Sequence, residues 1–182
     1  MPIIFITLFV VFALEHFLLY RWSPSYFTQG IRIFTARIPA NAPSRALLLP
    51  NSLERDVAPL TDITLVFHPL THDRIAFRES FAAGFTSVAQ RYYPLMRGLI
   101  EVDARRNEIR VQGLCNWTAL LLPLVFLVLA VVGSAKATAI VAVLGFLLVF
   151  AMGYFIQRKA YLQVVEAVKA QLSDDIPRAL RP

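Results

Sequence analysis

The sequence predicts an α-helical membrane protein with three transmembrane spans and a small extramembrane α+β domain rich in β-hairpins. Hydrophobic residues make up 57% of the 182 residues and charged residues only 16%, whereas a soluble domain typically has about 25% charged residues. Three long segments are apolar, and the chain between the first two alternates as β-hairpins do. This composition excludes a disordered chain, and the single cysteine, Cys115, excludes an internal disulfide.

The three predicted spans are residues 3–20, 117–134 and 139–156. The second and third contain no charged residue, and only Glu15 and His16 interrupt the first. About 20 helical residues cross a hydrocarbon layer of roughly 30 Å, which supports this interpretation. The predicted domain organisation is a first helix (1–21), a middle α+β domain (22–116), a helical hairpin (117–157) and an amphipathic helix with a tail (158–182).

Basic residues near the span ends predict the orientation, because cytoplasmic loops of membrane proteins are rich in Arg and Lys. One side of the predicted topology carries Arg21, Arg32, Arg37, Arg97, Arg105, Arg106, Arg110, Arg158, Lys159 and Lys169, and the other side carries Lys136. We therefore expect a multi-pass protein of the cell inner membrane, with the amino terminus outside and with the middle domain and the carboxyl terminus in the cytoplasm.

Alternating apolar residues predict the strands of the middle domain. One strand is expected at 31–38. Strands at 63–67 and 75–77 flank a turn and form a first hairpin, and strands at 100–103 and 109–111 form a second. Pairing Val102 with Ile109 places Glu101 opposite Arg110, which is a favourable cross-strand pair, and Asp103 beside Glu108, which is unfavourable.

Helical spacing predicts two amphipathic helices and one helical turn. Apolar residues recur at offsets of four, three and four in two places: Phe81, Phe85, Val88 and Tyr92, and again Tyr161, Val165, Val168 and Leu172. The second set predicts that the third span continues into the cytoplasm to about Ser173. Its apolar face is expected to cover its own domain, another copy or a partner. A short helical turn is predicted within 44–54.

Glu15 and His16 are candidate intramembrane polar residues, because an ionisable group in a membrane helix is costly and is often functional. The functional interpretation is a proton site. The structural interpretation, which we favour, is a hydrogen bond to a neighbouring helix or subunit. Adjacent helical residues point about 100° apart, so the two side chains need different partners.

The arginines near the second predicted span are candidates for binding anionic lipid head groups or a partner. They are Arg91, Arg97, Arg105, Arg106 and Arg110. Near a membrane surface each contributes about 1 kcal/mol. No aromatic-basic platform accompanies them, so nucleic-acid binding is not expected.

Catalytic, metal and cofactor sites are not predicted. His68 and His72 have the spacing of metal ligands on a helix, but Pro69 and a turn pattern separate them. A hydrated turn is the preferred interpretation. The sequence contains neither a Gly-x-Ser-x-Gly elbow nor a glycine-rich phosphate loop.

The predicted function is that of a non-enzymatic accessory, assembly or regulatory subunit. Its expected partners are the lipid bilayer and a protein partner or a second copy of the chain. Three alternatives remain open: an immunity-type protein that neutralises a membrane-acting toxin, a transport component that uses Glu15, and a membrane-bound enzyme in which His68, His72 and Glu79 cluster.

Overall fold

The computed structural model has a mixed α+β architecture built on a five-stranded antiparallel sheet. It describes residues 2–40, 48–58, 64–80, 96–132 and 136–179. The helices are α1 (Pro2–Tyr20), α2 (Pro24–Thr28), α3 (Pro50–Val57), α4 (Trp117–Val132) and α5 (Lys136–Ala179). The strands are β1 (Arg32–Pro39), β2 (Leu65–Thr71), β3 (Arg74–Glu79), β4 (Arg97–Asp103) and β5 (Glu108–Leu114).

The strands are arranged in the order β1-β5-β4-β3-β2. Both predicted hairpins are confirmed, as β2–β3 and β4–β5. The predicted register of the second hairpin is also confirmed, with Val102 opposite Ile109. The strand predicted at 31–38 is present as β1, which pairs with β5. Because β5 leads within two residues into α4, the same end of the sheet carries the start of that helix.

The β4–β5 turn shows how the unfavourable pair of Asp103 and Glu108 is accommodated. Asn107 takes the left-handed conformation, with φ of 50°, which Asn tolerates better than most residues. Arg110 lies 3.0 Å from Asp103 and 2.5 Å from Glu108, so its guanidinium bridges the two carboxylates. Glu101 is the cross-strand neighbour of Arg110 but forms its ion pair with Arg74 instead, at 2.8 Å.

One face of the sheet forms the main hydrophobic core, and α5 and α3 cover it. The strands contribute alternating apolar side chains, among them Ile75, Phe77, Ile100, Val102, Ile109 and Val111. The part of α5 that packs on them contributes Tyr161, Val164, Val165 and Val168. The prediction of an amphipathic extension is confirmed, and its apolar face covers its own domain. The predicted end near Ser173 is wrong, because α5 continues to Ala179.

α5 has two halves with different surroundings. Residues 140–155, here called the apolar half, expose large side chains, with Val141 68% and Leu148 64% exposed. Residues 160–172, here called the core half, pack on the sheet, and Val168 is fully buried. One uninterrupted helix therefore joins an exposed apolar surface to the core of the sheet domain.

The prediction of three transmembrane spans is wrong. In the described part of the chain one helix, Ile140–Leu172, is long and apolar enough to cross a membrane by length and composition. Its most apolar 18-residue stretch is only 12% buried. The apolar part of α1, Ile6–Tyr20, is shorter than this criterion requires, and α4 has 16 residues, or about 24 Å of helix.

Part of each of these two helices is buried in the protein. Glu15 and Leu19 of α1 and Thr118 and Ala119 of α4 are buried against neighbouring elements. Hydropathy counts an apolar side chain in the same way whether lipid or protein covers it. The apolar runs in the sequence are therefore longer than the surfaces that they leave exposed.

Some predicted features lie outside the described residues. These are most of the helix with Phe81, Phe85, Val88 and Tyr92, together with Arg91 and the first part of the helical turn within 44–54. The described part of that last segment begins at Leu48, and α3 starts at Pro50. Proline suits a first helical position because its missing N–H is not needed there. Leu53 and Val57, one turn apart, then face the core.

Candidate functional site

The carboxylate of Glu15 binds the start of α4 in the interior of the protein. Its Oε1 accepts a hydrogen bond from the Trp117 backbone N–H at 2.6 Å, and its Oε2 accepts one from the Thr118 N–H at 2.9 Å. The Thr118 hydroxyl donates a further bond to Oε2 at 2.5 Å. The Tyr26 hydroxyl also donates to Oε1. Glu15 is 1% exposed, so four donors replace the water that the carboxylate has lost.

This contact is a helix cap supplied by a different helix. The first backbone N–H groups of a helix have no internal partner, and the helix dipole places partial positive charge there. The first turn of α4 has no acidic residue of its own. Glu15 of α1 provides the negative charge and accepts two of these N–H groups. The contact therefore attaches α1 to α4 by electrostatics as well as by packing.

Arg97, at the start of β4, is the second buried charge of the site. Its guanidinium donates to the carbonyl oxygens of Tyr26 and Cys115, the latter at 2.6 Å. It also lies over the Tyr26 ring, with Cζ 3.7 Å from the ring centroid. A Cβ atom on Gly30 would come within 2.9 Å of the guanidinium, so the absence of a side chain at Gly30 provides the necessary space. Arg97 is fully buried.

Tyr26 of α2 connects the two charges. Its hydroxyl binds Glu15, while its carbonyl and its ring contact Arg97. Burial raises the pKa of Tyr26 above its ordinary value; Arg97 opposes this effect and Glu15 adds to it. Burial also lowers the pKa of Arg97, against the attraction of Tyr26 and Glu15. We call Glu15, Tyr26, Arg97 and Thr118 the polar junction.

A second arginine–aromatic contact lies beside the polar junction. Arg78 of β3 is paired in register with Arg97 of β4, and its guanidinium lies 4.6 Å from the ring centroid of Trp22. Trp22 stacks on His68 at 5.0 Å and has a positive φ of 52°. This conformation is unfavourable for a bulky residue, and the contacts of the ring with Arg78 and His68 compensate for it. The segment between α1 and α2 is therefore anchored on two neighbouring strands.

The polar junction holds secondary-structure elements together. Glu15 binds the amino-terminal end of α4, and Arg97 binds two backbone carbonyl oxygens and an aromatic ring. A cavity between α4 and α5 is lined by apolar residues that include Pro123, Phe146 and Phe150. No polar-junction residue lines that cavity. The arrangement can fix α1, α2, α4 and the sheet relative to one another.

The other predicted site residues are placed apart from the polar junction. His16 contacts Phe12, one helical turn earlier, through a hydrogen bond of 2.9 Å and through ring stacking. Arg105 and Arg106 are exposed in the β4–β5 turn, and Arg110 forms ion pairs with its neighbours. That turn lies at the end of the sheet opposite α4, roughly 20 Å along the strands.

Arg97 requires a correction. It was expected to face lipid head groups or a partner, but it is fully buried beneath Tyr26. His68 lies within β2, opposite Ala76 of β3, and His72 lies in the β2–β3 turn. Among the residues that the structure describes, no group of three or more His, Cys, Asp or Glu side chains has the arrangement of a metal site.

Sequence reasoning missed Tyr26 and Thr118, and it assigned Arg97 to a surface. No local signal marks Thr118, because it is the second residue of α4 and not its N-cap. Nothing local indicates that Tyr26 lies between Glu15 and Arg97, because these partners come from α1 and β4.

Comparison with known proteins gives no relative for this chain: no family model, no curated protein and no solved structure matches it.

Proposed function

We propose that this protein is a non-enzymatic, membrane-attached accessory protein. In this proposal the apolar half of α5 contacts the lipid bilayer, and the α+β domain is held in a fixed orientation at the cytoplasmic surface. The domain there binds a partner protein. The observation that carries the proposal is the continuity of α5, which is exposed and apolar over one half and built into the domain core over the other.

The exposed apolar surface supports membrane attachment. A soluble monomer rarely exposes a large contiguous apolar patch, and such patches mark contacts with membranes or proteins. The apolar half of α5 exposes Ile140, Val141, Leu144, Leu147, Leu148, Val149, Met152 and Phe155. Exposed apolar side chains also occur on α4, which packs beside α5: Leu120, Leu124, Leu127 and Val128.

The polar junction supports a fixed orientation. α1 is bonded to α4 through Glu15, and α2 and β4 are joined to this pair through Tyr26 and Arg97. Breaking a buried ionic contact costs about 3–5 kcal/mol. Rotation of the domain relative to the helices would break such contacts and is therefore energetically unfavourable. A rigid connection suits a protein that presents a surface to a partner at a set height above the membrane.

A non-enzymatic role is supported by the use made of the buried polar groups. Catalytic groups normally face a cleft in which a substrate binds. Here Glu15 and Arg97 are covered by protein and are bonded to backbone groups. Buried contacts of this kind hold secondary-structure elements together.

Flotation with liposomes tests membrane attachment. After detergent removal the full-length protein is expected to float with phosphatidylcholine liposomes and to resist extraction by high salt. The double variant Leu144→Asp/Leu148→Asp should lose flotation, because each charge in hydrocarbon costs about 2.5–3.5 kcal/mol. Leu162→Asp is the matched control, since Leu162 is 48% exposed but lies in the core half. A protein that stays dissolved without detergent and apart from liposomes would refute attachment.

Crosslinking in intact cells tests the accessory role. The protein is crosslinked before detergent extraction, and the mass of the purified complex is measured and its chains identified. The proposal predicts that a second, different chain is recovered with the protein at constant stoichiometry. This chain should be absent when an unrelated membrane protein with the same tag is crosslinked and purified in the same way. Recovery as a single copy alone would contradict the accessory role while leaving membrane attachment intact.

A further inference from the structure

We propose that four basic residues form a collar that binds the phosphate groups of anionic phospholipids. The four residues are Arg21, Arg32, Arg158 and Lys159, and we call them the basic collar. The inference rests on the proposed membrane attachment and adds to it a preference for one lipid class. It concerns different residues from the arginines that the sequence suggested.

The four residues lie at one level of the molecule, where the exposed apolar helices meet the sheet. Arg21 directly follows α1. Arg32 opens β1 and is paired with Leu114, the last residue of β5 before the chain enters α4. Arg158 and Lys159 lie between the apolar half of α5, which ends at residue 155, and the core half, which begins at residue 160. A bilayer that covers the apolar half would place its head groups at this level.

All four side chains are exposed. In the described part of the chain none of them forms an ion pair. Arg21 lies over the ring of Phe17, at 5.5 Å from the centroid, which leaves its N–H groups available. Within the part of the chain that the structure describes, no carboxylate neutralises the positive charge of these four residues.

The opposite end of the sheet provides a contrast. Three of its arginines are matched by carboxylates: Arg74 by Glu101, Arg106 by Asp103, and Arg110 by Asp103 and Glu108. Arg37 and Arg105 are exposed there and form no ion pair within the described residues. Most of the charge at that end is balanced within the protein, whereas none of the four collar residues is paired within the described part of the chain, so their charge can bind an external anion. This partition favours a ligand surface that covers only the collar end.

Aromatic residues at the same level favour an anionic lipid over another anion as the ligand of the basic collar. Tyr20 is 70% exposed next to Arg21, and Trp117 is half-buried at the start of α4. Tyr and Trp are enriched where a protein crosses the boundary between hydrocarbon and head groups. A phospholipid satisfies both parts of this surface, because its chains meet the apolar half of α5 while its phosphate meets the arginines.

The test measures lipid preference in bilayers that contain the full-length protein. The protein is reconstituted in phosphatidylcholine bilayers with a trace of spin-labelled phosphatidylglycerol or spin-labelled phosphatidylcholine. Electron paramagnetic resonance then gives the fraction of each labelled lipid that the protein immobilises. One engaged cation near the surface increases affinity by up to about fivefold, so the wild-type protein should hold phosphatidylglycerol several-fold more strongly than phosphatidylcholine.

Two variants with equal charge changes distinguish the collar from net charge. Arg21→Gln/Arg158→Gln should reduce the preference at least twofold, and Arg21→Lys/Arg158→Lys should retain it. Arg105→Gln/Arg106→Gln removes the same charge from the far turn and should leave the preference unchanged. Raising the salt concentration should weaken the wild-type preference, since exposed charges are screened.

The outcomes separate this inference from the proposed function. Equal immobilisation of both lipids by the wild-type protein would overturn the basic collar but not membrane attachment. Equal loss of preference in the two Arg→Gln variants would also overturn the collar, because net charge would then explain the effect. The absence of any immobilised lipid would refute membrane attachment itself.

Discussion

The two halves of α5 are both rich in apolar residues, and yet they have opposite surroundings. Leu148 in the apolar half is 64% exposed, whereas Val168 in the core half is fully buried beneath the sheet. The difference does not come from the apolar side chains, which are similar in the two halves, although the core half also carries the exposed Glu166 and Lys169. It comes from what lies opposite: strands with alternating apolar residues face the core half. An apolar helix thus needs a covering surface, and no described part of this chain covers the exposed side chains of the apolar half.

The largest effect expected from this comparison comes from placing a charge in the core half. Val168→Asp would bury an unpaired carboxylate among apolar side chains, at an expected cost above about 4 kcal/mol. The domain should unfold at a much lower denaturant concentration, as measured by circular dichroism in detergent. Leu148→Asp, the matched change in the apolar half, should leave this midpoint unchanged. Equal destabilisation by both changes would contradict the division of α5.

The next largest effect on the free energy of unfolding is expected at the polar junction, where α1 and α4 meet the sheet domain. Glu15→Gln replaces a carboxylate that accepts four hydrogen bonds with an amide whose NH₂ group faces N–H donors. We expect a loss of about 3 kcal/mol in the free energy of unfolding. Glu166→Gln makes the same chemical change at an exposed carboxylate that is paired with Lys169, and its effect should stay within about 0.5 kcal/mol. Similar values for the two variants would show that Glu15 does not hold the helices together.

Two glycines allow the two halves of α5 to be compared through smaller changes in stability. A Cβ on Gly113 of β5 would come within 2.5 Å of the Tyr161 ring in the core half, whereas a Cβ on Gly145 in the apolar half would meet nothing within 4 Å. Gly113→Ala should destabilise the domain by about 1–3 kcal/mol through overpacking. Gly145→Ala should be neutral or stabilising by up to about 1 kcal/mol, because alanine favours the helix. Thermal unfolding of both variants measures the contrast, and the opposite order of stabilities would be inconsistent with the packing of α5.

The smallest expected effect is a dependence on alkaline pH through Cys115, between β5 and α4. Burial raises the pKa of this thiol to about 11 from its ordinary 9.0, against the opposing effect of Arg97. Because the folded state holds the proton more tightly, the contribution to stability is complete below pH 9 and is lost as the pH rises towards 11. In the native protein, alkylation at pH 8 should be about 100-fold slower than in the denatured protein. Rapid native alkylation at pH 8 would contradict this burial.

Local patterns made the two hairpins predictable. The alternation around Phe67 and Phe77, and the turn near Asn107, depend on neighbouring residues, so the sequence was sufficient for β2–β3 and β4–β5. The pairing of β1 with β5 was not predicted, because it joins segments about 75 residues apart, such as Ile38 with Ile109. Contacts of that kind depend on the whole fold.

The three-span prediction failed for a related reason. Hydropathy describes a segment without its neighbours, so it could not show that α1 and α4 are partly buried in the protein, through residues such as Leu19 and Ala119. The site was predicted only in part. Glu15 stands out as a charge in an apolar run, but its contacts with Tyr26 and Thr118 depend on how three helices meet.

Hydrophobic photolabelling tests the central claim most directly, that lipid covers the apolar half of α5 while the sheet covers its core half. A photoactivatable lipid is incorporated into bilayers with the full-length protein, and the labelled positions are mapped by mass spectrometry. The expected result is labelling within residues 140–155, at side chains such as Val141 and Leu148, with little within 160–172. Equal labelling of both halves, or labelling of neither in protein that remains dissolved without detergent, would contradict the claim.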